Sequence, residues 1–442
     1  MTAAPAPGAA TNGASDTADL LVLRAAQLLT APATPGGAPL IGAALDSPLL
    51  LPDAAVACRD GRVAAVGTMA EVLAAFPEKR ARRILDASGL LVAPGFVDSH
   101  THLPFAGTRE MEFDARARGA TYASIAAQGG GIASSRRALL ELSEAALADR
   151  VVARLATLLA QGTTTIEAKS GYGLLLEEER KQLRALARAA SQSPARVVPT
   201  YLVGHAVPAE WISRREAYVS ALAEEAIPAV AAEGLARFCD VWCDVGAFTP
   251  EETRRLLSAA ASRGIRPKLH ADELGDAGAA RLAAEVGAVS ADHLLHASDA
   301  GIDAMARAGV AAVLLPGTAF TLGLPYARAR AMVERGVAVA LATDWNPGST
   351  MSSSMALAMT MAVTQMKLSP AEAWMAATAN GAVAVGEGDQ VGRIQPGYRA
   401  DLTLFDPPDY RHVAYHYGHD HVRATVVGGA VVHEASGPSR CS

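Results

Sequence analysis

Apolar runs of strand length alternate with Ala-, Leu-, Glu- and Arg-rich stretches of helical length through the middle of this chain. The apolar runs are "LLVAPGFVDSH", "TTTIEAKS", "RVVPTYLVGH", "FCDVWCDVG", "RPKLHAD", "VSADHLLH", "VAAVLLPG" and "VAVALATD". Strands buried on both faces read as such near-continuous hydrophobic segments. Eight of them, each followed by a helical stretch, predict an α/β fold, a (β/α)8 TIM barrel. Its reactive end lies where the strands finish and the βα loops begin. Polar residues collect there: His100, Lys169, His205, Asp244, His270, His293 and Asp344. A strand buried on both sides has no structural use for them. The connection after the first strand, roughly Leu103 to Leu158, is long for a βα loop and is expected to carry substrate contacts.

The two ends of the chain have a different rhythm. From about Leu20 to Ala93, short β-like runs such as "LLVLRAAQLL" and "AAVACRDGRVAAVG" are broken by Gly, Asp and Pro. "GRIQPGYRADLTLFD" and "VRATVVGGAVVH" repeat that style near the C-terminus. Both ends are therefore expected to build one small β-sandwich domain, residues 20-93 plus 394-434, interrupted by the barrel at 94-393. Tails are expected at 1-19 and 435-442. The first is rich in Ala, Pro, Gly, Thr and Ser with no Lys or Arg before Arg24, which predicts disorder and no secretory or mitochondrial targeting segment.

Composition narrows the chemistry. Half of the 442 residues are hydrophobic and only 5% aromatic, which suits close-packed helices around buried parallel strands. The net charge of -6 is spread without long runs, so no positive field exists for nucleic acid or an anionic membrane surface. A small-molecule substrate is the expectation. No uninterrupted apolar stretch reaches the roughly 18 residues of a membrane span. Cys58, Cys239, Cys243 and Cys441 are too few and scattered for a disulfide scaffold, which points to a reducing cytoplasm.

His100 and His102 are one residue apart on a strand, so both side chains point the same way into the barrel mouth. With His270 on the fifth strand and Asp344 on the eighth, they make three imidazoles and a carboxylate, a set that suits one divalent zinc or iron ion with a position left open. Any one of these histidines alone reads more simply as a satisfied core residue; the set reverses those odds. Asp344 can also accept a proton from water, Glu273 can shuttle one to a departing nitrogen, and His293 can polarise a carbonyl. By position alone Glu273 is equally an exposed loop acid, but its "HADE" context favours catalysis. Asp98, on the face of the two histidines but deeper, is expected to orient one of their rings. Cys239 and Cys243 read as small buried hydrophobes, since a CxxxC without a second pair is a weak metal signal.

Through "PGFVDSHTH", "KLHADE", "SADH" and "ATDWNPGS" the chain resembles the amidohydrolase superfamily. That resemblance implies the barrel, a flanking β-sandwich and a hydrolytic metal. Members with two metals bridge them with a carboxylated lysine on strand four, but "FCDVWCDVG" has none, so one metal is expected. Lys169, on strand two, is expected to be structural or to face substrate, its plainest reading being a buried ion pair with Glu167 or another acid. "FAGTREMEF", "GATYASIAAQGGGI", "EAKSGYG", "GHAVP" and "ATDWNPGS" further resemble the imidazolonepropionase family, over nearly the whole chain from Leu20 to His433. The resemblance implies hydrolysis of the cyclic amide of 4-imidazolone-5-propanoate to N-formimidoyl-L-glutamate in histidine degradation, by a hydroxide on one zinc or iron ion. It further implies substrate contacts at Arg109, Tyr122, Tyr172, His205, Glu273, Asn346, Gly348 and Ser349. A guanidinium fork at Arg109 fits the propanoate carboxylate. Ala168 and Ser135 depart from the larger aliphatic residue and the threonine usual in the family; neither is a proposed ligand.

Two rivals stand beside this reading. An aminohydrolase acting on a guanine-like or cytosine-like ring would share the metal set, but a neutral ring has no need of Arg109. A barrel that kept its fold and lost its chemistry is opposed by the intact ligand set. The expected assembly is a homodimer.

Overall fold

The computed structural model describes residues 17–120, 124–125 and 129–436; Tyr122, Cys441 and most of both expected tails lie outside the described residues. Its strands are β1 (Leu20–Thr30), β2 (Leu49–Arg59), β3 (Arg62–Thr68), β4 (Ile84–Asp86), β5 (Leu91–Pro94), β6 (Phe96–Thr101), β7 (Thr163–Lys169) and β8 (Arg196–Gly204). They continue as β9 (Phe238–Cys243), β10 (Arg266–Ala271), β11 (Ser290–His293), β12 (Ala311–Leu314), β13 (Val339–Leu341), β14 (Leu402–Phe405), β15 (Val422–Val427) and β16 (Ala430–Glu434).

β6 to β13 form one parallel sheet in strict chain order, and each coincides with one of the expected apolar runs. Most of these strands are buried along their whole length, β7 at every residue, because helices cover the outside and side chains fill the inside. The seam between first and last strands closes at the top, where Asp344 N–H donates to His100 O at 3.0 Å and His102 N–H to Trp345 O at 3.1 Å. The helices follow their sequence signals. Glu144–Ala160 starts at Ser143, whose hydroxyl accepts from Ala146 N–H, and buries Leu147, Val151, Leu155 and Leu158 at helical spacing. Pro250–Ala261 starts with a capping box between Thr249 and Glu252.

The second sheet runs β16-β15-β14-β5-β1-β2-β3, with β4 also beside β1. The antiparallel pairing of β14 with β5 joins the two ends of the chain, giving the expected second β unit beside the barrel. Separate apolar clusters cover its faces, one around Val22, Val56 and Leu402, the other around Leu21, Leu23 and Val72. Only Gly95 separates β5 from β6, and a Cβ there would fall 2.3 Å from the Thr164 hydroxyl. That contact admits no side chain, so glycine lets the end sheet run directly into the barrel.

Candidate active site

His100 lies next to the end of β6 with His102 just beyond it, His270 lies near the end of β10, His293 ends β11, and Asp344 follows β13; all five are buried. His293 and Asp344 hold left-handed backbone angles, φ of 76° and 57°. Residues other than glycine rarely adopt these, and such strain at a strand end turns both side chains toward the barrel axis.

The donor atoms converge. His100 Nε2 lies 3.3 Å from His102 Nε2 and 3.5 Å from Asp344 Oδ1, which is also 3.5 Å from His102 Nε2. One ligand atom each from His100, His102 and His270 falls within a 4.8 Å span. Ligands about 2.0–2.1 Å from one tetrahedral ion stand about 3.3 Å apart, so these separations fit a bound cation. His270 Nε2 and Asp344 Oδ1 are buried with no hydrogen-bond partner among the described residues, as lone pairs reserved for an ion would be. The other carboxylate oxygen of Asp344 is occupied, accepting from Thr318 Oγ1 at 2.5 Å and Ser349 Oγ at 3.0 Å.

Beneath the histidines lies a floor of buried charge. His100 Nδ1 meets Asp292 Oδ2 at 2.7 Å, and His270 Nδ1 meets Asp240 Oδ1 at 3.1 Å. A carboxylate can only accept here, so both rings carry their proton on Nδ1 and present Nε2 as a lone pair. Lys169 Nζ ties the acids together, at 2.8 Å from Glu167, 2.7 Å from Asp240 and 3.3 Å from Asp292. Lys268 adds a second ammonium, 3.5 Å from Glu167 and 3.9 Å from Asp292. Three carboxylates against two ammoniums leave one negative charge, and Asp344 supplies another; a divalent cation balances both. Burial would lower the Lys169 ammonium, but the three acids outweigh it and raise it above its ordinary range. Burial also drives His100, His102 and His293 well below the usual histidine range, so they are neutral donors or acceptors at pH 7.

Asp98 does not do what its position suggests. Its carboxylate accepts from Thr343 N–H at 3.0 Å and Thr343 Oγ1 at 2.6 Å, bracing the seam to the eighth strand. The imidazoles turn their Nδ1 atoms sideways, toward β11 and β9, rather than down their own strand. The orienting acids therefore come from neighbouring strands.

Above the histidine cluster opens a cavity of about 430 Å³, into which His102, Arg109, Tyr172, His205, Glu273 and Asn346 project. Gly348 and Ser349 also border it. Glu273 is held by Asp244, whose carboxylate accepts from the N–H groups of Glu273, Leu274 and Gly275. Burial, then Asp344 and Asp244, push the Glu273 carboxyl well above its usual range. His205 donates from Nδ1 to Gly171 O at 2.8 Å, and burial lowers its pKa to about 3. The Tyr172 loop is fastened from behind: Glu179 accepts from Gly171, Gly173 and Leu174 N–H, and Gln182 from Tyr172 and Gly173 N–H. Asn346 closes its own loop, donating to Asp344 O and Ser349 Oγ and accepting from Gly348 and Ser349 N–H.

The sequence points to the histidines and cavity residues that converge here, but not to Asp240, Asp292, Glu179, Gln182, Glu112, Arg116 and Trp242. Asp292 had a signal in "SADH", directly before His293. Asp240 had none, since it meets His270 and Lys169 from a different strand, a pairing set by sheet register. Cys239 and Cys243 are buried free thiols, as expected.

A model of the amidohydrolase family matches residues 91–432. A model of an imidazolonepropionase-like composite domain of bacteria matches residues 54–78. The chain is 48% identical to the imidazolonepropionase of Symbiobacterium thermophilum, over 94% of this chain and 97% of that protein. It belongs to the imidazolonepropionases of the amidohydrolase family. The imidazolonepropionases of Geobacillus kaustophilus, 46% identical, and Haloarcula marismortui, 45% identical, each match at least 93% of this chain and 96% of their own. The fold itself is wider than the imidazolonepropionases. An adenosine deaminase from Xanthomonas campestris with bound zinc has a TM-score of 0.69 at 22% identity, covering 94% of this chain and 93% of that one. Guanine deaminase of E. coli reaches 0.70 at 17% identity, covering 94% and 99%. Similarity at that level carries the fold alone.

Proposed function

We propose that this chain hydrolyses the cyclic amide of 4-imidazolone-5-propanoate to N-formimidoyl-L-glutamate, a step of histidine degradation. One observation carries the reading: in a chain 48% identical to an imidazolonepropionase, a single cavity joins the ion-binding cluster to the guanidinium of Arg109. A ring with an acidic tail spans those two features; a neutral nucleobase leaves the arginine without a partner.

His100, His102, His270 and Asp344 would hold one zinc or iron ion, which when bound supplies a Lewis acid and makes water acidic near neutral pH. The other steps belong to the chain. Burial brings the Asp344 carboxyl up to about 6, so it is largely ionised near pH 7 and accepts the proton of the attacking water. Neutral His293 donates a ring N–H to the carbonyl oxygen as charge develops there. Glu273, kept protonated by its surroundings, passes its proton to the ring nitrogen next to the carbonyl. The water oxygen bonds to the carbonyl carbon, the carbon–nitrogen bond breaks toward the nitrogen, and a new carboxylate and the formimidoyl group result. Arg109 holds the propanoate tail, with Tyr172 and His205 against the ring. A homodimer in the cytoplasm, where the described cysteines stay reduced, completes the reading.

The test is ultraviolet absorbance of purified protein with freshly made imidazolone propanoate, beside guanine and cytosine. Loss of the imidazolone band is expected. Turnover of a nucleobase with an inert imidazolone would overturn the assignment.

A further inference from the structure

Arg109, Glu112 and Arg116 lie on one face of the helix Glu110–Ala117 and its N-cap, and all three border the cavity. The Arg109 guanidinium lies against Gly348, where a Cβ would fall 1.7 Å from Nη2. Arg116 reaches the same residue two turns further on, its Nη2 donating to Gly348 O at 3.2 Å. The acid between them is partly engaged: Glu112 Oε2 is 3.9 Å from Arg109 Nη1, while Oε1 accepts Gly131 N–H at 2.9 Å. Both arginine Nε–H groups are buried without a hydrogen-bond partner among the described residues. Two cations and one carboxylate leave a positive charge and unused donors in a recess with limited access to water, an arrangement that favours an arriving anion. Burial and the nearness of Arg109 both push the Arg116 guanidinium below its ordinary range.

We infer that Arg116 is a second carboxylate-binding side chain, forming with Arg109 a two-armed subsite that selects an anionic substrate tail over a neutral one. The identity of that tail rests on the proposed ring opening; the subsite itself rests on the two guanidiniums meeting at Gly348. A plain alternative is that Arg116 only braces the Gly348 loop through its carbonyl. The two roles differ in one respect: a brace supports every ligand alike, whereas a carboxylate arm acts only on an acid.

The deciding experiment is calorimetric titration of the metal-loaded enzyme and its Arg116→Met variant with 3-(imidazol-4-yl)propanoate and with the corresponding propanamide. The variant is expected to bind the acid about ten- to a hundredfold more weakly, the range of a lost charged hydrogen bond, with the amide unaffected. Unchanged affinity for the acid, or an equal loss for acid and amide, would overturn the inference. Arg116→Gln carries the same comparison should the Met variant not fold, and Arg116→Lys, keeping charge but losing the fork, should fall between. Turnover is read separately: a wild type inert toward imidazolone propanoate defeats the proposed reaction, while the acid-to-amide ratio still decides on Arg116.

Discussion

Lys169, Lys268, Glu167, Asp240 and Asp292 lie fully buried beneath the histidines, each against an opposite charge, whereas Arg109, Glu112 and Arg116 stand at the rim with a positive charge left over. Both groups consist of ordinary charged side chains in one barrel mouth, so residue type does not separate their roles. What separates them is whether every charge faces an opposite one. A floor whose charges answer one another holds geometry; a rim whose donors remain open recognises something that arrives. Glu273 stands between, its backbone held by Asp244 and its carboxyl turned into the cavity.

The largest expected effect comes from that intermediate residue. Glu273→Gln keeps the shape and removes the transferable proton, and kcat should fall about 10²- to 10⁴-fold, the usual worth of a positioned acid or base, with metal content unchanged. The sign of the pH effect follows from the raised carboxyl. A raised pKa keeps the acid form to higher pH than an ordinary carboxyl does, and an acid that must donate works only while protonated, so the rate should decline as pH rises through that pKa. The Gln variant should lack this alkaline decline. A decline that persists would assign it to another group and return Glu273 to the rim as a binding residue.

Next in size is the floor itself. Lys169→Met leaves Glu167, Asp240 and Asp292 facing one another with only Lys268 as counter-charge. Removing one partner of a buried ionic group costs about 3–5 kcal/mol, which denaturant unfolding of the metal-free protein would register. Wild-type stability in that variant would mean the acids hold protons instead, and the contrast between an ion-paired floor and an open rim would fail.

The barrel was legible because eight buried parallel strands leave eight apolar runs, and because a polar residue ending such a run has no structural excuse. The cluster of His100, His102 and His270 was legible for the same reason, with His100 and His102 sharing a face by simple alternation. The floor was not. Which acid reaches which imidazole depends on cross-strand register, so Asp240, with Lys268 as its register partner, could not be paired with His270 from spacing. The same gap produced the mistaken role for Asp98, judged from its own strand alone. At the rim, Arg109 carried a motif, while Arg116 read as one more charge on a surface helix until Gly348 was seen between them.

The smallest expected effect tests that correction directly. Asp292 accepts from Ser290 Oγ at 2.6 Å and meets His100 Nδ1 at 2.7 Å, so Asp292→Asn can keep both contacts while losing the charge that makes the imidazole a stronger donor to a metal. Metal affinity, measured by competition with a chelator, should drop about 10- to 100-fold, as changes behind a metal-binding histidine commonly do. Asp98→Asn touches the Thr343 bracing and the backbone N–H of His100 but not its ring, and should leave that affinity close to wild type. The pair is informative because the two acids are both buried and both near His100, differing in whether they touch its ring. If Asp98→Asn weakened the metal more than Asp292→Asn, the floor would be acting through the shape of the seam rather than through charge delivered to the imidazole.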